Sequence, residues 1–249
     1  MNIFITNDDG IHARGIRQLI DIALEFGNVY VVAPDGPQSG KSHAITLSVP
    51  MRAKPLPEEC PGLVQYACSG TPVDCVKLGL RELFKDVRMD LLLSGINHGS
   101  NAATNVLYSG TMGAAIEGIM EGVPAIGFSM ATYDQQVDFA PCEDCIRFII
   151  RQMIAHGKPG CCWNVNIPVG EVKGIKACVQ AHATWDERIL RREDPHGKPY
   201  YWLEGDFEND DPRTDTDSYY LDHGYVAVVP VTVDMTDRAA LARMDGLFG

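Results

Sequence analysis

Asn2-Ile3-Phe4-Ile5-Thr6-Asn7-Asp8-Asp9-Gly10 is the stretch on which the fold turns. Its first five residues read as a short β-strand, and two adjacent carboxylates and a glycine follow directly. A helix-like stretch then runs from Arg14 to Phe26. Carboxylates this close repel each other, and one pKa rises unless a cation sits between them. Hard divalent cations take oxygen ligands of this kind. Open α/β sheets place their ligands at the carboxyl ends of strands. Asp-Asp-Gly after a strand is also an ordinary turn with a helix N-cap, so the rest of the chain has to separate the two readings.

Working outward, strand and helix patterns alternate. Ile16, Leu19, Ile20, Ala23 and Leu24 share one face of the first helix, and Gly27 closes it. Val29 to Ala33 is a continuous apolar run, as for a parallel strand buried on both faces. A polar Gly/Pro-rich loop follows from Asp35 to Ser42. Ala44 to Lys54 alternates and is expected to form a β-hairpin arm with Gln65-Tyr66-Ala67-Cys68. Thr71-Pro72 opens a helix to about Phe84, as N-cap and N1 proline. Strands are expected at Asp90 to Ser94, Ala125 to Ser129, Trp163 to Ile167, Ile175 to Gln180 and Tyr225 to Val233. Helices are expected at Thr111 to Glu121, Asp138 to His156 and Thr236 to Leu247. This order predicts an α/β fold, a three-layer Rossmann-like core on a mostly parallel sheet. Residues 1–183 form the expected core. Residues 184–249 form a C-terminal strand and helix extension, whose stretch from Asp186 to Asp217 is charged, aromatic and irregular. That region is too small for a core of its own and is expected to pack on the main domain or serve oligomerisation.

Composition narrows the function. The 249 residues carry 33 acidic and 21 basic side chains, a net charge of −12. Polymeric nucleic acid is therefore not an expected partner. A small anion remains compatible, because a metal ion and helix N-termini supply local positive potential. No apolar run approaches the ~20 residues of a membrane span, and no signal peptide is read. Eight cysteines without a secretory signal suit a reducing cytoplasm. Cys142 and Cys145 form a CxxC, but no second pair stands at zinc spacing, so free thiols are expected.

Three loops after buried strands are rich in small and oxygen-bearing side chains: Asn7-Asp8-Asp9-Gly10, Gln38-Ser39-Gly40-Lys41-Ser42, and Ser94-Gly95-Ile96-Asn97-His98-Gly99-Ser100-Asn101. In a doubly wound sheet they emerge on one edge and converge. Two carboxylates, a hydroxyl and an amide oxygen suit Mg²⁺ or Mn²⁺, not zinc. Tyr108-Ser109-Gly110-Thr111 leads into a helix, and hydroxyls with free N–H groups at such a terminus cradle an anion. Gly36 to Ser42 imitates a P-loop, but the register puts Asp35 where the first glycine belongs, and a strand-like His43-Ala44-Ile45-Thr46 follows in place of a helix.

These residues together resemble the SurE (stationary-phase survival protein) nucleotidase family. The resemblance runs through Thr6-Asn7-Asp8-Asp9-Gly10, Ala33-Pro34 with Gln38-Ser39-Gly40, Gly70 to Val76, Ser94-Gly95-Ile96-Asn97 with Gly99 and Asn101, and Tyr108-Ser109-Gly110-Thr111. It continues in Gly113-Ala114-Ala115, Glu117-Gly118, Thr216-Asp217, Gly224-Tyr225-Val226 and Pro230. Val73, Gly127 and Val229 depart from the family pattern, and residues 186 to 215 match least. The resemblance implies a metal-dependent phosphohydrolase of nucleoside 5′- and 3′-monophosphates, with short polyphosphate as a further substrate. It implies one divalent ion held by Asp8, Asp9, Ser39 and Asn97, catalysis by Asp8 and Asp9 through metal-activated water, and phosphate binding by Asn7, Gly40, Asn101, Ser109, Gly110 and Thr111. A homodimer or homotetramer is implied as well. The competing functions are a nucleotide-binding sensor without catalysis and, disfavoured by the register at Asp35, a P-loop ATPase or kinase.

Overall fold

A computed structural model of the chain describes residues 1–134, 136–244 and 247. The opening strand forms as β1, Asn2–Thr6, and its alternating side chains serve two cores. Ile3 and Ile5 pack with one hydrophobic cluster and Phe4 with the other, as the two faces of a strand require. On the first face lie α1 (Arg14–Leu24) and α4 (Glu143–His156), which contribute Ile16, Leu19, Ile20, Ile146, Ile149 and Ile150. On the second lie α2 (Pro72–Leu78) and α3 (Gly110–Met120), which contribute Cys75, Val76, Met112, Ala114 and Ala115. The sheet between them makes the expected three layers.

The remaining core strands are β2 (Asn28–Pro34), β3 (Ala53–Pro55), β4 (Leu63–Cys68), β5 (Leu91–His98), β6 (Ala125–Met130), β7 (Cys162–Ile167) and β8 (Ile175–Ala177). From the C-terminal segment come the long strands β9 (Thr184–Glu193) and β10 (Pro199–Glu208), then α5 (Asp217–Asp222), β11 (Val226–Val231) and α6 (Arg238–Arg243). The main sheet runs β3-β4-β2-β1-β5-β6-β7-β11-β8. Strands β4 to β7 pair in parallel, β3 is antiparallel to β4, and β11 is antiparallel to β7 but parallel to β8. Thus β11 is a full member of the core sheet.

Several expected elements are corrected. The segment expected as an arm from Ala44 to Lys54 is irregular up to Arg52, and only Ala53–Pro55 pairs with β4, at the sheet edge. Side chains hold its backbone instead: Asp74 accepts from the N–H and hydroxyl of Thr46, and Thr71 Oγ1 donates to the Ala44 carbonyl. The projecting hairpin is β9–β10, in the stretch expected to be irregular, and its ten-residue strands pair from Thr184–Glu208 to Glu193–Pro199. Strand β5 continues past Ser94 to His98, with a register shift against β6 between Ser94 and Asn97. The helix expected from Asp138 starts as a short 3₁₀ turn, Ala140–Cys142, before α4. The terminal helix is shorter than Thr236–Leu247, and residues 245 and 246 of that expectation lie outside the described residues. Among the described residues no helix is long and apolar enough to cross a membrane.

Candidate active site

The loops after β1, β2 and β5 meet the N-terminal end of α3 around a cavity of about 410 Å³. Its wall includes Asp8, Asp9, Ser39, Gly40, Asn97, His98, Asn101 and Ser109. Convergence follows from topology: β1 stands between β2 and β5, all three parallel, so their carboxyl ends open on the same edge. The loops are also tied together. The Gln38 N–H donates to the Asp8 carbonyl at 2.7 Å, and Ser42 Oγ donates to the Leu107 carbonyl at 2.6 Å.

Asp8 is only 4% exposed. Burial pushes its carboxyl up to about 6, and the neighbouring Asp9 charge adds to this. Hydrogen bonds from the Thr111 side chain and nearby backbone pull the other way. Thr111 Oγ1 donates to Asp8 Oδ1 at 2.5 Å. Asp9 is more open. Its Oδ2 accepts from the His98 backbone N–H at 3.2 Å and lies 3.2 Å from His98 Nδ1. Asn97 Nδ2 donates to the Gly99 carbonyl at 2.8 Å, which fixes the amide of a residue on the cavity wall and leaves its oxygen to serve as an acceptor or ligand.

These residues fit a hard divalent cation. Two carboxylates, one of them held partly out of water with a raised pKa, are what a cation between them would stabilise. The Ser39 hydroxyl and the Asn97 amide oxygen complete an oxygen-only set. Among the described residues no three His, Cys, Asp or Glu side chains gather into a metal-holding group; the set rests on two carboxylates with a hydroxyl and an amide oxygen beside them.

Not every residue singled out by the sequence reaches the cavity. Asn7 is fully buried, and its amide is used on Gly10: Nδ2 donates to the Gly10 carbonyl and Oδ1 accepts the Gly10 N–H. It shapes the turn. Gly110 and Thr111 sit behind Asp8. A Cβ on Gly110 would lie 2.9 Å from Asp8 Cβ, so the first turn of α3 supports the carboxylate directly. Of the expected anion cradle, Ser109 remains on the wall, where its Oγ also caps α3 by accepting the Met112 N–H. Asn101 is set by a buried relay. Its N–H donates to Asn166 Oδ1, its carbonyl accepts from Asn164 Nδ2, and its own Nδ2 donates to Ser129 Oγ.

Tyr133, Asn105 and Trp185 also line the cavity, and the sequence did not single them out. Trp185 comes from β9 of the projecting hairpin. The available signal was the aromatic run Tyr200-Tyr201-Trp202 after the turn Asp194-Pro195-His196-Gly197-Lys198, which marks a hairpin whose other strand carries Trp185.

The family model described as "Survival protein SurE" matches residues 3–187. The chain belongs to the SurE family. It is 48% identical over 247 residues to a 5'-nucleotidase SurE of Flavobacterium psychrophilum, covering 98% of this chain and 96% of that one. The corresponding protein of Cytophaga hutchinsonii is 47% identical over 247 residues, covering 98% and 95%. Among solved structures, the SurE protein of Aquifex aeolicus superposes with a TM-score of 0.84 at 32% identity, covering 100% of both chains. The SurE match by family model stops in β9, so it takes in all four residues of the oxygen set and Trp185 but ends before most of the hairpin.

Proposed function

We propose that this cavity hydrolyses the phosphate ester of nucleoside 5′- and 3′-monophosphates, with one Mg²⁺ or Mn²⁺ held by Asp8, Asp9, Ser39 and Asn97. The convergence of that oxygen set beside the Ser109-capped start of α3 carries the reading. A divalent ion supplies charge neutralisation for phosphoryl oxygens and an activated water. The chain supplies the rest. Asp8 is held rigid by Thr111. Asp9, the more open carboxylate, accepts the water's proton, for which a carboxylate within hydrogen-bond reach is enough. Ser109, Gly40 and Asn101 hold the non-bridging oxygens, and the ribose oxygen leaves. The relatives named 5'-nucleotidase support the same chemistry, and a sensor without catalysis is not favoured.

The test is phosphate release from a panel of nucleoside monophosphates and tripolyphosphate, with EDTA, Mg²⁺ or Mn²⁺. Release restored by metal is expected from wild type. Asp9→Ala is expected to lose roughly a hundredfold or more while its melting temperature stays within a few degrees. An active Asp9→Ala protein would remove the metal assignment.

Residues 184–249 are further proposed to mediate a homodimer or homotetramer. The exposed apolar side chains Ile189, Trp202 and Leu203 of the hairpin support this. Sedimentation of a variant with those three residues changed to serine tests it. The eight thiols support a cytoplasmic location.

A further inference from the structure

His98 is the last residue of β5, and its side chain is only 4% exposed on the wall of the cavity. Two anchors hold it. Its backbone pairs with Met130 of β6, and its ring meets the Phe139 ring edge-on at 5.3 Å. Phe139 is itself buried, at the head of the turn that leads into α4. The two ring nitrogens have unequal surroundings. Nδ1 lies 3.2 Å from Asp9 Oδ2, whereas Nε2 is buried without a hydrogen-bond partner among the described residues. A carboxylate only accepts, so Nδ1 carries a proton and donates.

We propose that His98 is a positioning residue for the divalent ion: its Nδ1–H holds Asp9 by one oxygen and leaves the other free for the metal. This role rests on the reading of the cavity as a metal-dependent phosphohydrolase. Both donors of His98, the backbone N–H and Nδ1, reach the same oxygen, Asp9 Oδ2, each at 3.2 Å. Among the described residues Oδ1 accepts no hydrogen bond. The terminal torsion of an aspartate is broad when nothing holds it, and two donors on one oxygen hold it. They stand at the end of a core strand, and groups carried on such elements are placed more precisely than groups on loops. The orphan Nε2 points the same way. An aliphatic side chain would pack against Phe139 and leave no unpaired buried nitrogen. What it could not supply at this place is the N–H to Asp9. Hydrogen bonds of this kind, one shell out from a metal, orient the ligands and set the affinity. The role needs no change of charge on the ring, because Nδ1 carries its proton in the Nδ1–H neutral tautomer and in the imidazolium alike. Asp8 has the corresponding donor in Thr111, so each carboxylate of the pair is oriented by one side chain from a neighbouring element.

The test is Mn²⁺ binding to the full chain, read from the paramagnetic resonance of free Mn²⁺ at one fixed pH, with the metal-free melting temperature measured beside it. His98→Leu fills the space against Phe139 and removes the donor. His98→Asn loses the ring but puts its Nδ2 close to where Nδ1 stands, so it keeps the donor. His98→Leu is expected to weaken Mn²⁺ binding roughly ten- to hundredfold. His98→Asn is expected to stay within about threefold of wild type, even if its melting temperature falls further than that of His98→Leu. Affinities that follow the melting temperatures would make His98 a packing residue and overturn the proposal, as would a folded His98→Leu protein that binds Mn²⁺ like wild type. If His98→Leu does not fold, His98→Asn decides: an affinity within about threefold of wild type supports the role, and a larger loss overturns it. Wild type that binds no Mn²⁺ would overturn the metal reading of the cavity and this role with it. Wild type that binds Mn²⁺ while both variants match it would overturn this role alone.

Discussion

Thr111→Val removes a single hydroxyl and keeps the side-chain volume. In the folded protein that hydroxyl donates to Asp8 Oδ1 at 2.5 Å in a fully buried setting. A hydrogen bond to a charged group is worth about 1.5–3 kcal/mol, and one pKa unit corresponds to about 1.4 kcal/mol. Loss of the bond therefore raises the Asp8 carboxyl by about one to two units from its value of about 6. At pH 7 wild type keeps roughly nine-tenths of Asp8 ionised, and the variant between roughly a tenth and a half. Protons compete with a metal for the same oxygens, so the midpoint of Mn²⁺ binding against pH is expected to move up by about one to two units. Paramagnetic resonance of free Mn²⁺, titrated from pH 5 to 9, reads this without turnover. Thr111→Ser is expected to keep the wild-type midpoint. A Thr111→Val midpoint that coincides with wild type would refute the idea that the first turn of α3 keeps Asp8 charged.

Glu117 gives a pH prediction of opposite sign. Its burial raises the pKa, but Lys77 Nζ at 2.5 Å and His43 Nε2 at 2.9 Å outweigh it, and the net shift is downward from 4.5. A depressed carboxylate stabilises the fold above its unfolded pKa and loses that contribution as pH falls through the folded value. Thermal melts of wild type are therefore expected to drop below about pH 4.5, and those of Glu117→Gln to start lower at pH 7 and fall less; parallel curves would count against it. Gly113 has the Ser42 carbonyl 2.5 Å from where a Cβ would stand. Gly113→Ala is expected to cost about 1–3 kcal/mol in urea unfolding and to weaken Mn²⁺ binding by displacing the Ser39 loop; an unchanged metal affinity would show that the loop moves freely.

Much of the core was legible because local and tertiary signals agree. The β1 and β2 runs are apolar at every buried position but Thr6, and α2 announces itself by Thr71-Pro72 with Asp74, which close a capping box. The candidate metal donors were legible because they gather at the carboxyl ends of strands: Asp8 and Asp9 just after β1, Ser39 in the loop after β2 and Asn97 near the end of β5. What failed shares a physical cause. The Ala44 to Arg52 alternation lost to side-chain bonds with Asp74 and Thr71, which no period reveals. The β9–β10 hairpin leaves most of its residues exposed on both faces, so it has no buried face to impose a period of two. Asn7 and Thr111 have the chemistry of binding residues, but burial gave them supporting roles. Trp185 was hidden because its place in the cleft depends on where the hairpin folds back.

The position of β11 bears on the order in which the protein is made. β8 has β11 as its sheet neighbour, and Ile175 pairs with Val226, far along the chain. Strand β7 likewise presents one side to β6 and waits for β11 on the other. During synthesis the first six parallel-sheet strands emerge before the strand that seals their edge. That interval exposes an unpaired border of β7 of the kind that recruits other chains. A nascent chain stalled between Asp217 and Gly224 would be a substrate for chaperones, and release past Val231 would end that dependence.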